Sequence, residues 1–387
     1  MAGTSSRGKI LAVASPALGH FFPMVPTLWA LRAAGHDVRV AVPAYFARAV
    51  LQAGLPVLAC AHPRSEDAAL RPGDEAGSYT DEVPTLRRFA RIAEAMLPEL
   101  TDLVERWRPD LLLADQVDVA ARKVASDAAV PYVEHRWGLS LPVAKRWKAA
   151  HDVFGARCAA WPGFGTAPSL TVDPCPPSFQ LSDAEPGLRT RYVPFNGPAL
   201  VPGWLAGPRD GAPRVLVTFG TVLLEEGHHV AALADAVSGA LTAGAEVVVA
   251  ADRRTVPAAV AERVRAVQWL PLGLVAEHCD LVIHHGGSGT TLSALTHGTP
   301  QIACPASFDE GDNARRLAEL GAGVCVPFEA NDRGVALADA VPEVLGDPRY
   351  LAGARELRAE IAASPPPAVT ATAITELMTN EGVHRAS

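Results

Sequence analysis

Short apolar runs alternate with stretches of helical period along most of the chain, and Gly, Pro or an acid closes many of them. KILAVA (9–14) is the first run. The loop SPALGH follows, then a helix over FFPMVPTLWALRAAG that Gly35 closes, then the apolar run DVRVAVP (37–43). Strand, helix and strand in that order predict the opening of a doubly wound parallel sheet. VPTLRRFARIAEAMLPELTDLVERW (83–107) has helical period, and PDLLLAD (109–115) reads as a buried strand ending on an acid. VDVAARKVASDAAV and PYVEH repeat the alternation. A second series starts at RVLVTFGT (214–221). It continues through a helix near 229–242 and the strands AEVVVAA, DLVIHH and PQIACP. DNARRLAELGAG predicts a further helix, with Asp312 as its cap and Gly321 as its stop. Between the two series, VPFNGPALVPGWLAGPRDGAP (193–213) is rich in Pro and Gly and lacks period, which marks a linker. The expected architecture is therefore α/β, with two Rossmann-like halves and a cleft between them.

Length and composition agree with that division. The chain has 387 residues, 49% of them hydrophobic, enough for two cores. No apolar stretch reaches the roughly 18 residues of a membrane span, and the first residues lack the apolar core and cleavage site of a signal peptide. The expectation is a cytoplasmic protein with no membrane partner. A formal net charge of −8 argues against a nucleic-acid surface, which needs a basic face. The six cysteines, at 60, 158, 175, 279, 304 and 325, have no metal-ligand spacing and read as small core residues.

The stretch VIHHGGSGTTLSALTHGTP (282–300) is where chemistry enters. A tight strand-to-helix turn explains one or two glycines, but it does not require His284 and His285 before them. Unpaired N–H groups at a helix start attract anions, and glycines let a phosphate approach. No G-K-[ST] follows, so this is not a P-loop. Gly287 and Gly289 give G-x-G, but Leu292 stands where a dinucleotide fingerprint needs glycine. What remains is a helix over Thr291–His297, with Leu292 and Leu295 on its buried face and Gly298 and Pro300 ending it. Gly286, Gly287, Ser288, Gly289 and Thr290 sit at its mouth beside His285. That arrangement suits a diphosphate held without a metal.

Other candidates lie at strand ends, where open α/β sheets bind ligands. His20 follows the first strand at a helix mouth; by itself such a residue is more often a surface or capping histidine. Asp115 ends another strand of the same half, so the two could form a His–Asp pair in which the carboxylate orients the imidazole. Trp269 offers a flat face on which a nucleobase can stack, although a core aromatic is the plainer reading. Asp309 and Glu310 could accept hydrogen bonds from sugar hydroxyls, or they are solvated loop acids. Phe89, Trp137, Trp147, Phe154, Trp161 and Phe164 fall in segments suited to an apolar acceptor cavity, and each is equally suited to a core.

SPALGHFFPMVPTLWALRAAGHDV, TVDPCPPSF, RYVPFNGPALVPGWL, LVTFGT, VQWLPL and DLVIHHGGSGTTLSALTHGTPQIACP, in this order and spacing, resemble the bacterial natural-product glycosyltransferases. These have the GT-B fold, and the resemblance covers nearly the whole chain. It implies an acceptor domain over 1–205, a nucleotide-sugar domain over 206–365, and a C-terminal helix over 366–387 returning to the first domain. It implies His20 as the base that deprotonates the acceptor and Asp115 as the acid that orients it. Donor contacts are implied for Thr221, Trp269, Leu270, His285, residues 286–290, Asp309 and Glu310. The expected activity is inverting transfer of a deoxysugar from a TDP-sugar co-substrate to a polyketide-like aglycone in antibiotic biosynthesis, with neither metal nor cofactor.

Two departures stand out. Where UDP-glucose users carry a ribose-binding Glu this chain has Ser293, and the usual Asp-Gln sugar pair is Asp309-Glu310. The first predicts no gain from a ribose 2′-hydroxyl, and the second favours an amino- or methylamino-deoxysugar. The rival readings are a nucleotide-sugar epimerase or hydrolase, and a non-catalytic binder of sugar nucleotide or aglycone. A homodimer is compatible with each.

Overall fold

The computed structural model describes residues 7–60, 83–160, 167–207, 211–220, 230–306, 309–328, 330 and 332–385. The apolar runs form two parallel sheets. The first contains β1 (Lys9–Val13), β2 (Asp37–Pro43), β3 (Val57–Cys60), β4 (Leu111–Asp115), β5 (Tyr132–His135), β6 (Leu170–Asp173) and β7 (Leu188–Arg189), in the order β3-β2-β1-β4-β5-β6-β7. The second contains β8 (Arg214–Thr218), β9 (Glu246–Ala250), β10 (Ala266–Gln268), β11 (Leu281–His284), β12 (Gln301–Ala303) and β13 (Gly323–Cys325), in the order β10-β9-β8-β11-β12-β13.

Alternation along each strand decides which helices it meets. In β1, Leu11 and Val13 face the helices Val83–Trp107 and Val119–Asp127, while Ile10 and Ala12 face Phe21, Met24, Val25 and Leu28. Both faces are thus covered, as a parallel sheet requires. In each sheet the winding reverses between two neighbours, β1 and β4 in the first and β8 and β11 in the second. A crevice opens beyond the carboxyl ends of such a pair. The register of Val13 with Ala114 brings the turns after β1 and β4 together, and that of His284 with Thr218 sets the carboxyl ends of β11 and β8 side by side.

Several local expectations shift. The helix expected as one piece over residues 21–35 is broken into Leu18–Phe21, a 3₁₀ turn at Phe22–Met24, and Val25–Ala33. Pro23 and Pro26 stand at the starts of the later pieces, where a missing N–H costs least. The helix expected from Thr291 begins earlier, at Ser288, with Gly287 as its N-cap. Asp309, not Asp312, precedes the helix Glu310–Glu319, and Asp312 lies inside its first turn. The last helix, Pro367–Arg385, buries Ala371 and Ile374 in the core of the first sheet, and Thr375 Oγ1 meets His36 Nε2 at 2.8 Å. Among the described residues no helix is long and apolar enough to cross a membrane.

Candidate active site

The site is built on the segments that follow β1, β4 and β11, with Gly220 beyond the end of β8. In the first domain the buried carboxylate of Asp115 accepts from the Ser15 N–H at 2.7 Å, the Ser15 hydroxyl at 3.2 Å and the Val117 N–H at 3.1 Å. His20, 6% exposed on the short helix after β1, turns Nδ1 toward Asp115 Oδ1 at 3.7 Å. Burial opposes the charge on Asp115 most strongly. His20 and the Ser15 and Val117 N–H groups outweigh it, and hold this carboxyl below its ordinary range. Asp118, the N-cap of Val119–Asp127, is pushed the other way, up to about 7, by burial and by the charge of Asp115. An ionised carboxylate therefore faces the Nδ1 edge of the imidazole, which favours the tautomer protonated there and makes Nε2 the basic nitrogen.

One face of the His20 ring lies on Trp137, with centroids 3.9 Å apart and planes 11° from parallel, and Phe89 stands tilted at 4.6 Å. Leu86, Val117 and Leu141 pack around Trp137 and extend this apolar wall. Three expected contact residues lie elsewhere. Phe154 is buried under the first sheet, and Trp147 packs on the same core with the Arg122 guanidinium 4.9 Å over its ring. Both lie on the face of Val143–Phe154 that packs on Val83–Trp107. Leu270 is buried among Leu205, Leu216 and Val248, so its side chain belongs to the core of the second domain. Thr221, Trp161 and Phe164 lie outside the described residues.

In the second domain, the helix Ser288–His297 starts without a side-chain cap, and a Cβ at Gly289 would meet nothing within 4 Å. The helix mouth is thus open at Gly289, while the Gly286 N–H donates to His284 Nδ1 at 3.0 Å and the Thr290 and Thr291 N–H groups to the Gly287 carbonyl at 3.1 and 3.0 Å. Gly286, at φ +95°, lies against Glu310, where an added Cβ would sit 2.9 Å from the Glu310 carbonyl oxygen. The His285 ring lies between Gly220 and Gly287, and a Cβ on Gly287 would come within 2.4 Å of Nε2. Burial and the neighbouring His284 lower its pKa to about 3, against the opposing backbone at Thr218, so the ring is neutral near pH 7.

The hydroxyl of Ser288, expected on the phosphates, instead donates to Asp309 Oδ2 at 2.6 Å and accepts from Asn313 Nδ2 at 3.0 Å. Glu310 is buried, and its Oε2 accepts from the Ala306 N–H at 2.8 Å. Ser293 is buried too, donating to the Gly289 carbonyl at 2.7 Å and accepting from Asn196 Nδ2 at 3.4 Å. Trp269 is 41% exposed, with its ring edge near Gly197 of the linker.

Asn313, Ser15 and Asn196 were not singled out in the sequence. Asn313 carried a usable signal, since it stands one helical turn after Asp309. Ser15 and Asn196 carried little, because their partners are remote in sequence.

Two doubly wound domains, a His–carboxylate pair on one and an open helix mouth on the other, define a GT-B glycosyltransferase. Residues 79–220 match the N-terminal domain, and residues 235–377 the C-terminal domain, of the erythromycin biosynthesis protein CIII-like family. The L-demethylnoviosyl transferase of Streptomyces niveus is 38% identical over 370 residues, covering 94% of this chain and 96% of that one. The elloramycin glycosyltransferase ElmGT of Streptomyces olivaceus is 36% identical, covering 93% and 95%. The spinosyn rhamnosyltransferase SpnG, solved with thymidine diphosphate, superposes with a TM-score of 0.82 at 33% identity, covering 95% and 99%. The chain belongs to this family of antibiotic glycosyltransferases.

Proposed function

We propose that this enzyme transfers a deoxysugar from a TDP-sugar to a hydroxyl of a polyketide-like aglycone, with inversion at the anomeric carbon. The observation that carries the reading is the buried His20–Asp115 pair at the carboxyl ends of the first sheet. The acceptor oxygen attacks the anomeric carbon, its proton passes to His20 Nε2, and the bond to the diphosphate breaks. Asp115 stabilises the imidazolium that forms. Negative charge grows on the leaving diphosphate, which the N–H groups of Gly287, Ser288 and Gly289 and one N–H of neutral His285 receive, the Gly286 and Thr290 N–H groups being engaged by His284 and Gly287; a contact that strengthens in the transition state raises turnover. Trp269 supplies an exposed face for thymine. Thymidine diphosphate in the related spinosyn enzyme supports the nucleotide assignment.

Metal and cofactor have no part in this scheme, so full turnover is expected in excess EDTA. Loss on chelation with recovery in Mg²⁺ or Mn²⁺ would refute that account of the leaving group. The deciding experiment incubates TDP-deoxysugars with and without aglycone. TDP release that requires aglycone, with an inverted glycoside as product, is expected. Release without acceptor would instead identify an epimerase- or hydrolase-like activity, and binding without turnover a non-catalytic protein.

A further inference from the structure

We propose that Trp137 is a positioning residue that links the base to the donor-sugar site, holding His20 by its ring face and the donor domain by its indole N–H. This rests on the reading of His20 as base and Asp309 as sugar ligand. The indole and imidazole are nearly parallel at 3.9 Å. An indole face is electron-rich and attracts an imidazolium more than a neutral ring, so the stack favours the form His20 takes after accepting the acceptor proton.

The other edge of the same ring leaves the first domain. Trp137 Nε1–H donates to Asp309 Oδ2 at 3.3 Å, an oxygen that also receives the Ser288 hydroxyl at 2.6 Å and Asn313 Nδ2 at 3.3 Å. The next residue, Gly138, lies so close to the donor helix that an added Cβ would stand 2.6 Å from Ser288 Oγ. This loop is held from behind. Gln180 accepts from the Ser140 N–H at 2.9 Å and donates to Asp173 at 3.2 Å. A buried, braced ring therefore touches the base with its face and the sugar-binding acid with its edge. A sugar hydroxyl that takes Asp309 competes with the indole N–H for one carboxylate, so donor occupancy is felt at the imidazole.

The test compares Trp137→Phe, which keeps a stacked ring without the N–H, with Trp137→Leu, which removes both. In Trp137→Leu the acid limb of kcat/KM for the acceptor should move down by about 0.5–1 pH unit, because the imidazolium loses its aromatic partner. Trp137→Phe should leave that limb near its wild-type position and change the donor KM at least about 3-fold, the effect of one lost N–H contact. An unmoved limb in Trp137→Leu, or a wild-type donor KM in Trp137→Phe, overturns the proposal. If Trp137→Leu does not fold, the Trp137→Phe arm decides alone. His20→Ala separates the two levels: near-normal turnover there removes the base itself, and the proposal with it. An inactive His20→Ala beside an unmoved Trp137→Leu limb overturns only the link.

Discussion

A single imidazole carries the chemistry, and its surroundings say what removing it does. Asp115, Trp137 and Phe89, which His20 contacts, all belong to the first domain. Turnover in His20→Ala should therefore fall ~10²–10⁴-fold while TDP affinity, read by calorimetry, stays near that of the wild type. Ser293 argues the nucleotide preference in the same way. Its hydroxyl is already committed to Gly289 and Asn196, so it has little left for a ribose diol. TDP should bind at least as tightly as UDP, and a clear UDP preference in competition calorimetry contradicts this. At this scale the sequence was informative where polar residues close an apolar run, as Asp115 and the pair His284–His285 do. It was poor for aromatics. Trp137, Trp147 and Phe154 have one kind of side chain and two surroundings, and only the packing of Val143–Phe154 on Val83–Trp107 sets the last two apart from Trp137. Glu310 shows the same limit. Its carboxylate reaches back to the Ala306 N–H, a contact that its neighbours in sequence do not announce.

At the scale of elements, the donor site depends on how closely the start of Ser288–His297 approaches Glu310–Glu319. Gly286 permits that approach twice over, by its φ of +95° and by the missing Cβ, which would otherwise sit 2.9 Å from a backbone oxygen. The obstacle is main chain and cannot rotate away. Gly286→Ala should therefore displace the helix mouth and weaken TDP binding by at least about 10-fold, with strain of the order of 1–3 kcal/mol behind it. Calorimetry on a variant with an unchanged circular dichroism spectrum checks this, and wild-type affinity would show that the turn tolerates a side chain. Strands and helices were legible because runs of Val, Leu and Ala differ so plainly from the loops between them. Helix starts were less so. Ser288–His297 has no side-chain cap to mark its first turn, and the acids around 309–312 offer several caps of equal quality.

Across the whole molecule, buried ionisable groups make stability depend on pH in opposite senses. His135 and His284 are each driven down to about 4, by burial first, with the Arg136 backbone or Gln301 only partly opposing it. Between about 6.5 and 4 the unfolded chain protonates these rings and the folded chain does not. Each then costs up to about 1.4 kcal/mol of stability per pH unit as the solution is acidified. Asp118 works against them. Its folded pKa of about 7 lies above the ordinary 3.8, so over that interval the folded state binds the extra proton and acidification stabilises it. Replacing Asp118 with Asn keeps an N-cap of equal quality and removes the titration. Asp118→Asn should accordingly be more stable than wild type at pH 7, with the gain shrinking toward pH 4. Its urea midpoint should also fall more steeply on acidification, by about one proton's worth. Urea titrations at a series of pH values measure both. A variant whose midpoints run parallel to wild type from pH 7 to pH 4 would show that Asp118 is ionised in the folded protein, and that the charge of Asp115 does not reach it.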